Sequence, residues 1–302
     1  MKFQPFVLEH TLENHTSSVN TLAFAPTGNY LASGSNNGSL IIWDPMTGLM
    51  KNHIIFHNPI LSLAWDLQHL KHLYIGCEDG TLALLDNFEP CHSVLTGIKS
   101  SVFAVSIDEY SGSVAICIGP EVHLAKEIAP VRYASSRLFP SLHKFSAKQE
   151  VDKHVHGQVL TFTERGAKLI IAYLYHGIVC WDMNISQCLW HINPIHGHQI
   201  MYVNISLVMP WACCPFFGPQ RVVLSNLSEG VDVYLVGQSH PELHLKHHPI
   251  LEERNVPLQV AFIFEGSAII SGSSDGKVPV WAATSGECIQ LLEHGGRFLL
   301  AV

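Results

Sequence analysis

Charged side chains are scarce in this chain, and basic ones are scarcer than acidic ones. Only 14% of the 302 residues are charged, and 17 Lys and Arg stand against 25 Asp and Glu, for a formal net charge of -8. Phosphate backbones and anionic membrane surfaces select for an excess of positive charge. The composition therefore predicts no nucleic-acid partner and no membrane partner. With 47% hydrophobic residues, the chain can still bury a large core.

The chain also lacks an uninterrupted apolar run that could act as a signal peptide or a spanning helix. Its start, MKFQPFVLEH, reaches Glu9 and His10 too early for a signal segment. The most apolar window, 200–217, contains two prolines and two polar residues, which favour a strand followed by a loop. We therefore expect a cytoplasmic protein, with a nuclear location as the alternative.

Cysteine and histidine spacings of known metal or disulfide frameworks are missing. The eight cysteines, which we interpret as reduced thiols, are Cys77, Cys91, Cys117, Cys180, Cys188, Cys213, Cys214 and Cys288. The adjacent pair at 213 and 214 is not a C-x-x-C motif and indicates packing rather than redox chemistry. Solvated loop residues are the commoner explanation for the histidine pairs at 154/156, 196/198 and 247/248. We predict no metal site.

Motifs that would mark an enzyme are absent or out of context. No G-x-x-x-x-G-K-[ST] loop occurs, so nucleotide binding has no support. Residues 272–276 match the spacing G-x-S-x-G, but the sequence after them predicts a strand, whereas a nucleophile elbow needs a helix there. We predict no catalytic residue, no cofactor-binding residue and no cofactor.

Helical periodicity is nearly absent, and a strand-rich unit of about forty residues recurs instead. The clearest copy, His15 to Gly48, contains three apolar strands and an Asn37-Gly38 hairpin turn. Asp79-Gly80 supplies the equivalent turn in the second copy. Six copies are recognisable; the third has an outer strand with long loops within 129–153, and the fifth carries the insert 211–219. In the sixth, Pro279 lies inside the third strand and removes a ladder hydrogen bond.

Two segments, SGSNNGSLIIWDPMTG (33–48) and SGSSDGKVPVWAATSG (271–286), resemble the WD40 repeat family. Trp43-Asp44 and Trp181-Asp182 match its WD dipeptide, Leu85-Asp86 matches it in part, and Trp281-Ala282 keeps only the tryptophan. The resemblance covers most of residues 6–294 and implies an all-β, WD40-type β-propeller with six recognisable four-stranded blades and a partial seventh.

Members of this family often join a histidine, a Ser or Thr, a turn Asp and the Trp of each blade by hydrogen bonds. By position, the resemblance implies these residues in three blades: His15, Ser33, Asn37 and Trp43 in the first, His57 and Asp79 in the second, and Ser271, Asp275 and Trp281 in the sixth. Asn37 departs from the pattern, because a neutral amide cannot stabilise a histidine cation as a carboxylate does.

Closure of the ring has two interpretations. After the sixth repeat only HGGRFLLAV remains, and 6–12 (FVLEHTL) resembles the outermost strand of a blade built from both chain ends. Either six blades close and 6–12 competes with 288–292 for one edge, or the ring stays open with part of a seventh blade missing. We expect the second, with residues 1–302 as a single, incomplete or open propeller domain.

Propellers of this family usually act as interaction platforms, which is an inference from the fold alone. We therefore expect a non-catalytic scaffold or recognition subunit whose partners are proteins or peptides. The alternatives are a propeller hydrolase or other enzyme with its site at the channel mouth, and a degenerate or truncated propeller without intact function.

Overall fold

In a computed structural model, the residues described are 5–95, 99–129, 132–139, 156–173, 177–192, 206–207, 221–226, 230–246, 259–264, 266–272 and 276–293. These ranges contain strands and turns and no helix, and the strands form six antiparallel sheets of four strands each. In every sheet the strands are neighbours in the order of the chain. The predicted all-β class with four-stranded propeller blades is confirmed.

The blades are numbered in chain order. Blade one contains β1 Val19–Phe24, β2 Leu31–Ser35, β3 Ser39–Asp44 and β4 Leu49–Ile55; blade two contains β5 Ile60–Trp65, β6 His72–Cys77, β7 Leu82–Asp86 and β8 Glu89–Leu95; blade three contains β9 Val102–Ile107, β10 Val114–Ile118, β11 Glu121–Ala129 and β12 Arg132–Leu138. Blade four contains β13 Gly157–Thr163, β14 Lys168–Tyr173, β15 Gly177–Asp182 and β16 Gln187–Ile192; blade five contains β17 Ser206–Leu207, β18 Arg221–Asn226, β19 Gly230–Leu235 and β20 Pro241–Lys246; blade six contains β21 Val260–Ile263, β22 Ala268–Ser271, β23 Lys277–Ala282 and β24 Cys288–Glu293.

The described residues fall into two compact units. The first unit comprises those within 9–171 and 180–187, and so holds blades one to three and part of blade four. The second comprises those within 1–8, 172–179 and 188–302, and so holds the rest of blade four with blades five and six.

The middle strands of a blade are buried on both faces, whereas its outer strand is buried at alternate positions at most. Every residue of β2 and β10 is buried, but β4 is largely exposed. Apolar residues of adjacent blades pack in shared clusters: Leu40, Ile42, Leu73 and Ile75 belong to one formed by blades one and two. The continuous apolar runs at the middle strands are therefore explained by blades packing on both sides.

Close approach between blades of the first unit depends on glycine. A Cβ atom on Gly34 of β2 would lie 2.5 Å from Cγ2 of Ile60, the first residue of β5. A Cβ atom on Gly76 of β6 would lie 2.5 Å from Cγ1 of Val102, the first residue of β9. Both separations are far below normal van der Waals contact, so no larger residue fits at either position without a shift.

The predicted outer strand at 6–12 is wrong. The structure has no strand there, and Val7 and Leu8 are 82% and 81% exposed. In the second unit, the backbone N–H of Phe6 donates to Gln290 Oε1 and the side-chain amide of Gln290 donates to the Phe6 carbonyl. A side chain of β24 thus satisfies the Phe6 backbone groups in place of a strand ladder. With 297–302 outside the described residues, a partial seventh blade is not shown.

Other expectations have separate outcomes. The outer strand expected within 129–153 is present as β12. Pro279 lies inside β23 opposite Leu291 of β24, as expected. The insert 211–219, the histidine pairs at 196/198 and 247/248, and the cysteines at 213 and 214 lie outside the described residues. Within the described ranges, no helix is long and apolar enough to cross a membrane.

Trp43 and Trp281 are 2% and 3% exposed, so replacing either with alanine should destabilise the protein by about 3–5 kcal/mol, because a large buried aromatic site is emptied. Denaturant unfolding measures the change in the free energy of unfolding. Phe24→Ala is the control, since Phe24 is 64% exposed and should change stability little. Unfolding midpoints of both tryptophan variants that match the wild type would contradict this burial.

Gly34→Ala should destabilise by about 1–3 kcal/mol, because its new methyl group overlaps Ile60. Ile60 is fully buried, so Ile60→Ala should also destabilise, by about 2–5 kcal/mol. In the double variant the overlap with Cγ2 of Ile60 is removed, and the loss should be smaller than the two single losses together. Additive losses in a double-mutant cycle would show that the two positions do not touch.

Candidate functional site

The hydrogen-bond network implied for the first blade is present at three of its four positions. Nε2 of His15 lies 2.6 Å from Ser33 Oγ, and Nε1–H of Trp43 donates to the same hydroxyl at 2.8 Å. Ser33 is buried and its hydroxyl also donates to the Ile41 carbonyl at 3.4 Å. The network connects the segment before β1 to β2 and β3, so its role is structural.

Asn37 does not join this network. Its Nδ2 donates to Thr16 Oγ1 and its Oδ1 accepts from the Ser39 backbone N–H. Nδ1 of His15 is buried without a hydrogen-bond partner. Burial, with a smaller contribution from the charge of His53, lowers the pKa of His15. The turn amide thus leaves the imidazole without the carboxylate partner that the resemblance implied.

The other implied networks are only partly visible. In blade two, Asp79 accepts hydrogen bonds from Asn58 and Thr81, while His57 is exposed. In blade six, the Ser271 hydroxyl donates to the Gly272 carbonyl, and Asp275 lies outside the described residues.

A groove between blades three and four, entirely within the first unit, is the candidate interaction site. It has a cavity volume of about 480 Å³ and is open to solvent. We call it the basic groove, because three cations line it beside aromatic and apolar side chains: Lys126, Arg137, Arg165, Tyr110, Phe162 and Met183. These residues come from β11, β12, β13 and the turns that follow β9, β13 and β15.

Two of the three cations are held by neighbouring groups that leave their charge uncompensated. Nη1 of Arg137 donates to the Met183 carbonyl at 2.7 Å. The Arg165 guanidinium lies 5.6 Å from the centre of the Tyr110 ring, in cation–π geometry. Lys126 projects from the exposed part of β11. Among the described carboxylates, none lies within ion-pair distance of these three side chains.

One carboxylate does line the basic groove, but it faces inward. Asp108 is 3% exposed, and its oxygens accept hydrogen bonds from the backbone N–H groups of Tyr110 and Ser111 and from the Ser111 hydroxyl. A buried carboxylate used in this way shapes the turn after β9. The accessible part of the groove therefore carries positive charge, which is unusual for an acidic chain.

The turns that form the basic groove join the first strand of a blade to the second, or the third strand to the fourth. Equivalent turns throughout the first unit carry exposed apolar side chains. These side chains are between 44% and 79% exposed: Met46, Leu67, Leu70, Tyr110 and Ile185. Turns of the other kind, at 36–38 and 78–80, carry Asn, Glu, Asp and Gly. Among the turns compared, the exposed apolar side chains therefore lie at one end of the strands, while Ile55 and Leu138 are exposed at the other end of β4 and β12. Grouped exposed apolar side chains are typical of docking surfaces.

Catalytic chemistry finds little support among the described side chains. Burial raises the pKa of Cys77 to about 12 and raises the pKa of Cys117 further, so both buried thiols stay protonated and are poor nucleophiles.

One described group combines metal-ligating side chains: Asp66, His69 and His72 lie with their ligand atoms within 4.8 Å of one another. Neither this group nor the basic groove was among the sequence predictions.

Comparisons with known proteins agree with the fold. The family model for "WD40: WD domain, G-beta repeat" matches residues 6–44. The chain is 23% identical to COMPASS component SWD1 of Saccharomyces cerevisiae over its whole length, which covers 72% of that protein. It is 51% identical to striatin-4 of Homo sapiens over 89 residues, which is 28% of this chain and 12% of striatin-4. It is 37% identical to the chromatin assembly factor 1 subunit FAS2 homolog of Oryza sativa over 99 residues, which is 30% of this chain and 17% of that protein. The chain thus spans under a fifth of the last two relatives.

Asn37→Asp should raise the pKa of His15, because it adds a negative charge at a side chain that contacts Thr16, the neighbour of His15 in the chain, and a nearby negative charge stabilises the imidazolium. In the wild type the lowered pKa means that neutral His15 contributes stability above about pH 6.5, and this contribution is lost as the pH falls through the folded pKa. The variant should therefore gain stability over the wild type mainly in acid. NMR titration and unfolding at pH 5.5 and 8 measure both effects, and an unchanged His15 titration would show that position 37 does not reach the ring.

Proposed function

Because this chain is a WD40-repeat protein built from four-stranded propeller blades, we propose that it is a non-catalytic scaffold or recognition subunit that binds other proteins through its basic groove. The observation that carries the proposal is an open groove with three cations and no accessible carboxylate, set among exposed apolar turns. A partner segment that fits it carries acidic side chains beside apolar ones, because complementary charge steers the encounter and apolar contact supplies affinity.

The relatives support a role inside a larger assembly. One is named as a component of COMPASS and another as a subunit of a chromatin assembly factor. The names fit a chain that works with protein partners, and the second name favours a nuclear location over the cytoplasmic one expected from the sequence. The proposal takes residues 1–302 as one propeller domain, for which a single cooperative unfolding transition is expected.

The enzyme alternative gains no observation in its favour. A propeller enzyme needs titratable groups that converge on a reacting atom. In the basic groove the one carboxylate is buried and occupied by the turn, and the cations lie beside a tyrosine and a backbone carbonyl. The groove is suited to binding, and we assign no reaction to it.

Charge reversal in the groove tests the proposal. The Lys126→Glu/Arg165→Glu variant should lose its partners, with recovery falling by about tenfold or more, because an acidic segment is then repelled. The wild-type chain and the variant are expressed with the same affinity tag at matched levels, and co-purifying proteins are quantified by mass spectrometry. Purified partners are then titrated with both chains to measure direct binding.

Lys99→Glu is the matched control, since Lys99 is an exposed lysine on the link between blades two and three, away from the groove turns. It changes the net charge in the same direction and should keep all partners. Partners retained equally by the groove variant, by Lys99→Glu and by the wild type would show that the basic groove is not the binding surface. Circular dichroism and unfolding confirm that each variant is folded.

A further inference from the structure

We infer that Asp66, His69 and His72 form a zinc-binding site on the turn between β5 and β6 of blade two. Their ligand atoms lie within 4.8 Å of one another. The site is in the first unit, separate from the basic groove, and it does not depend on the proposed function.

The carboxylate of Asp66 is already oriented for metal binding. Asp66 is 5% exposed, and its Oδ1 accepts hydrogen bonds from the backbone N–H groups of Gln68 and His69 at 2.8 and 3.3 Å. Its other oxygen, Oδ2, points to the two histidines, 2.9 Å from Nδ1 of His69 and 3.9 Å from Nδ1 of His72. One oxygen thus holds the side chain in place, and the other is directed at the nitrogen donors.

His72 is oriented from behind by a second carboxylate. Its Nε2 lies 3.2 Å from Asp86 Oδ1, while its Nδ1 faces Asp66. His72 is opposite Asp86 in the pairing of β6 with β7, so the strand register fixes this contact. A metal-bound histidine almost always donates its other ring N–H to a carboxylate, a carbonyl or water, which sets the tautomer and the ring orientation. Asp86 supplies that contact here.

The separations suit one small ion. Zinc binds histidine nitrogen and carboxylate oxygen at about 2.0–2.2 Å, so tetrahedral donor atoms lie about 3.3 Å apart. The separations of Asp66 Oδ2 from the Nδ1 atoms of His69 and His72, 2.9 and 3.9 Å, bracket that value. The Nδ1 atoms of His69 and His72 both face Asp66 Oδ2, and the two rings lie 4.7 Å apart between centroids.

The turn itself is closed by backbone hydrogen bonds. The N–H of Asp66 donates to the His72 carbonyl at 3.0 Å, and the N–H of His72 donates to the His69 carbonyl at 2.8 Å. Asp66 and His69 therefore lie on a short hydrogen-bonded turn, and His72 is the first residue of β6, where that turn ends. Because the His69 side chain is 56% exposed, the ion is reachable from solvent and a water molecule can complete its coordination.

The donor set favours zinc over the hard cations. Two imidazole nitrogens and one carboxylate oxygen match zinc, whereas Mg²⁺ and Ca²⁺ prefer oxygen ligands throughout. A hydrogen bond between His69 and Asp66 accounts only for the 2.9 Å separation of those two residues. It does not explain why Nδ1 of His72 also faces Asp66 Oδ2 while Nε2 of His72 contacts Asp86.

Isothermal titration of the chelator-treated full chain with zinc chloride tests the site. The wild type should bind one zinc equivalent more than His69→Gln/His72→Gln, and Mg²⁺ should not compete. Asp86→Asn should keep that equivalent but weaken it by about 10- to 100-fold, because the orienting carboxylate is removed. Cobalt(II) should give visible absorption bands of a low-symmetry site in the wild type, and these bands should be absent in the double variant.

His57→Gln is the control, since His57 is an exposed histidine outside the cluster and should leave zinc binding unchanged. The single variant His69→Gln changes only an exposed side chain, so it keeps the test valid if the double variant does not fold. The same zinc stoichiometry and affinity in the wild type, His69→Gln and the double variant would overturn the proposal, as would a wild type that binds no zinc at millimolar concentration.

Discussion

Contact between the second strand of one blade and the first residue of the next is the constraint on which the packing of the first unit depends. Each sheet makes its ladder hydrogen bonds within itself, so neighbouring blades are joined by side chains. Gly34 admits Ile60 and Gly76 admits Val102. Between blades three and four the sizes are exchanged: Cys117 lies on the second strand, and the first residue of β13 is Gly157, where a Cβ would lie 2.4 Å from the sulfur. Here the glycine lies on the first strand of the following blade and the larger residue on the second strand, and the two strands approach equally closely.

Hydrogen bonds between adjacent blades reinforce this packing near the same strands. Asn20 donates to the Ile60 carbonyl, Ser62 to the Val102 carbonyl and Trp65 to the Ala23 carbonyl. Because the inner and middle strands are fixed in this way, the turns at their ends can vary without loss of the core. The basic groove and the Asp66 cluster are both built on such turns, which explains how a conserved type of sheet can carry individual surfaces.

The repeats and their turns could be predicted from the sequence because each blade repeats the same local signals. The Asn37-Gly38 and Asp79-Gly80 turns and the buried Trp43 are examples of positions where local pattern and packing agree. The basic groove could not be predicted in this way, because Lys126, Arg137 and Arg165 come from different strands and turns and share no spacing. Asp66, His69 and His72 do have a regular spacing of three, which was a readable signal. The strand expected at 6–12 failed because apolar content alone does not make a strand without a sheet edge that accepts its backbone.

The buried cysteines have a practical consequence for how opening of individual blades can be followed. Cys77 and Cys117 belong to blades two and three, and each is a buried thiol outside any disulfide. A protonated thiol enclosed by a sheet reacts with an alkylating reagent only when its surroundings open. The rate at which each of these sulfur atoms is labelled therefore reports the local opening of its own blade, without any introduced probe.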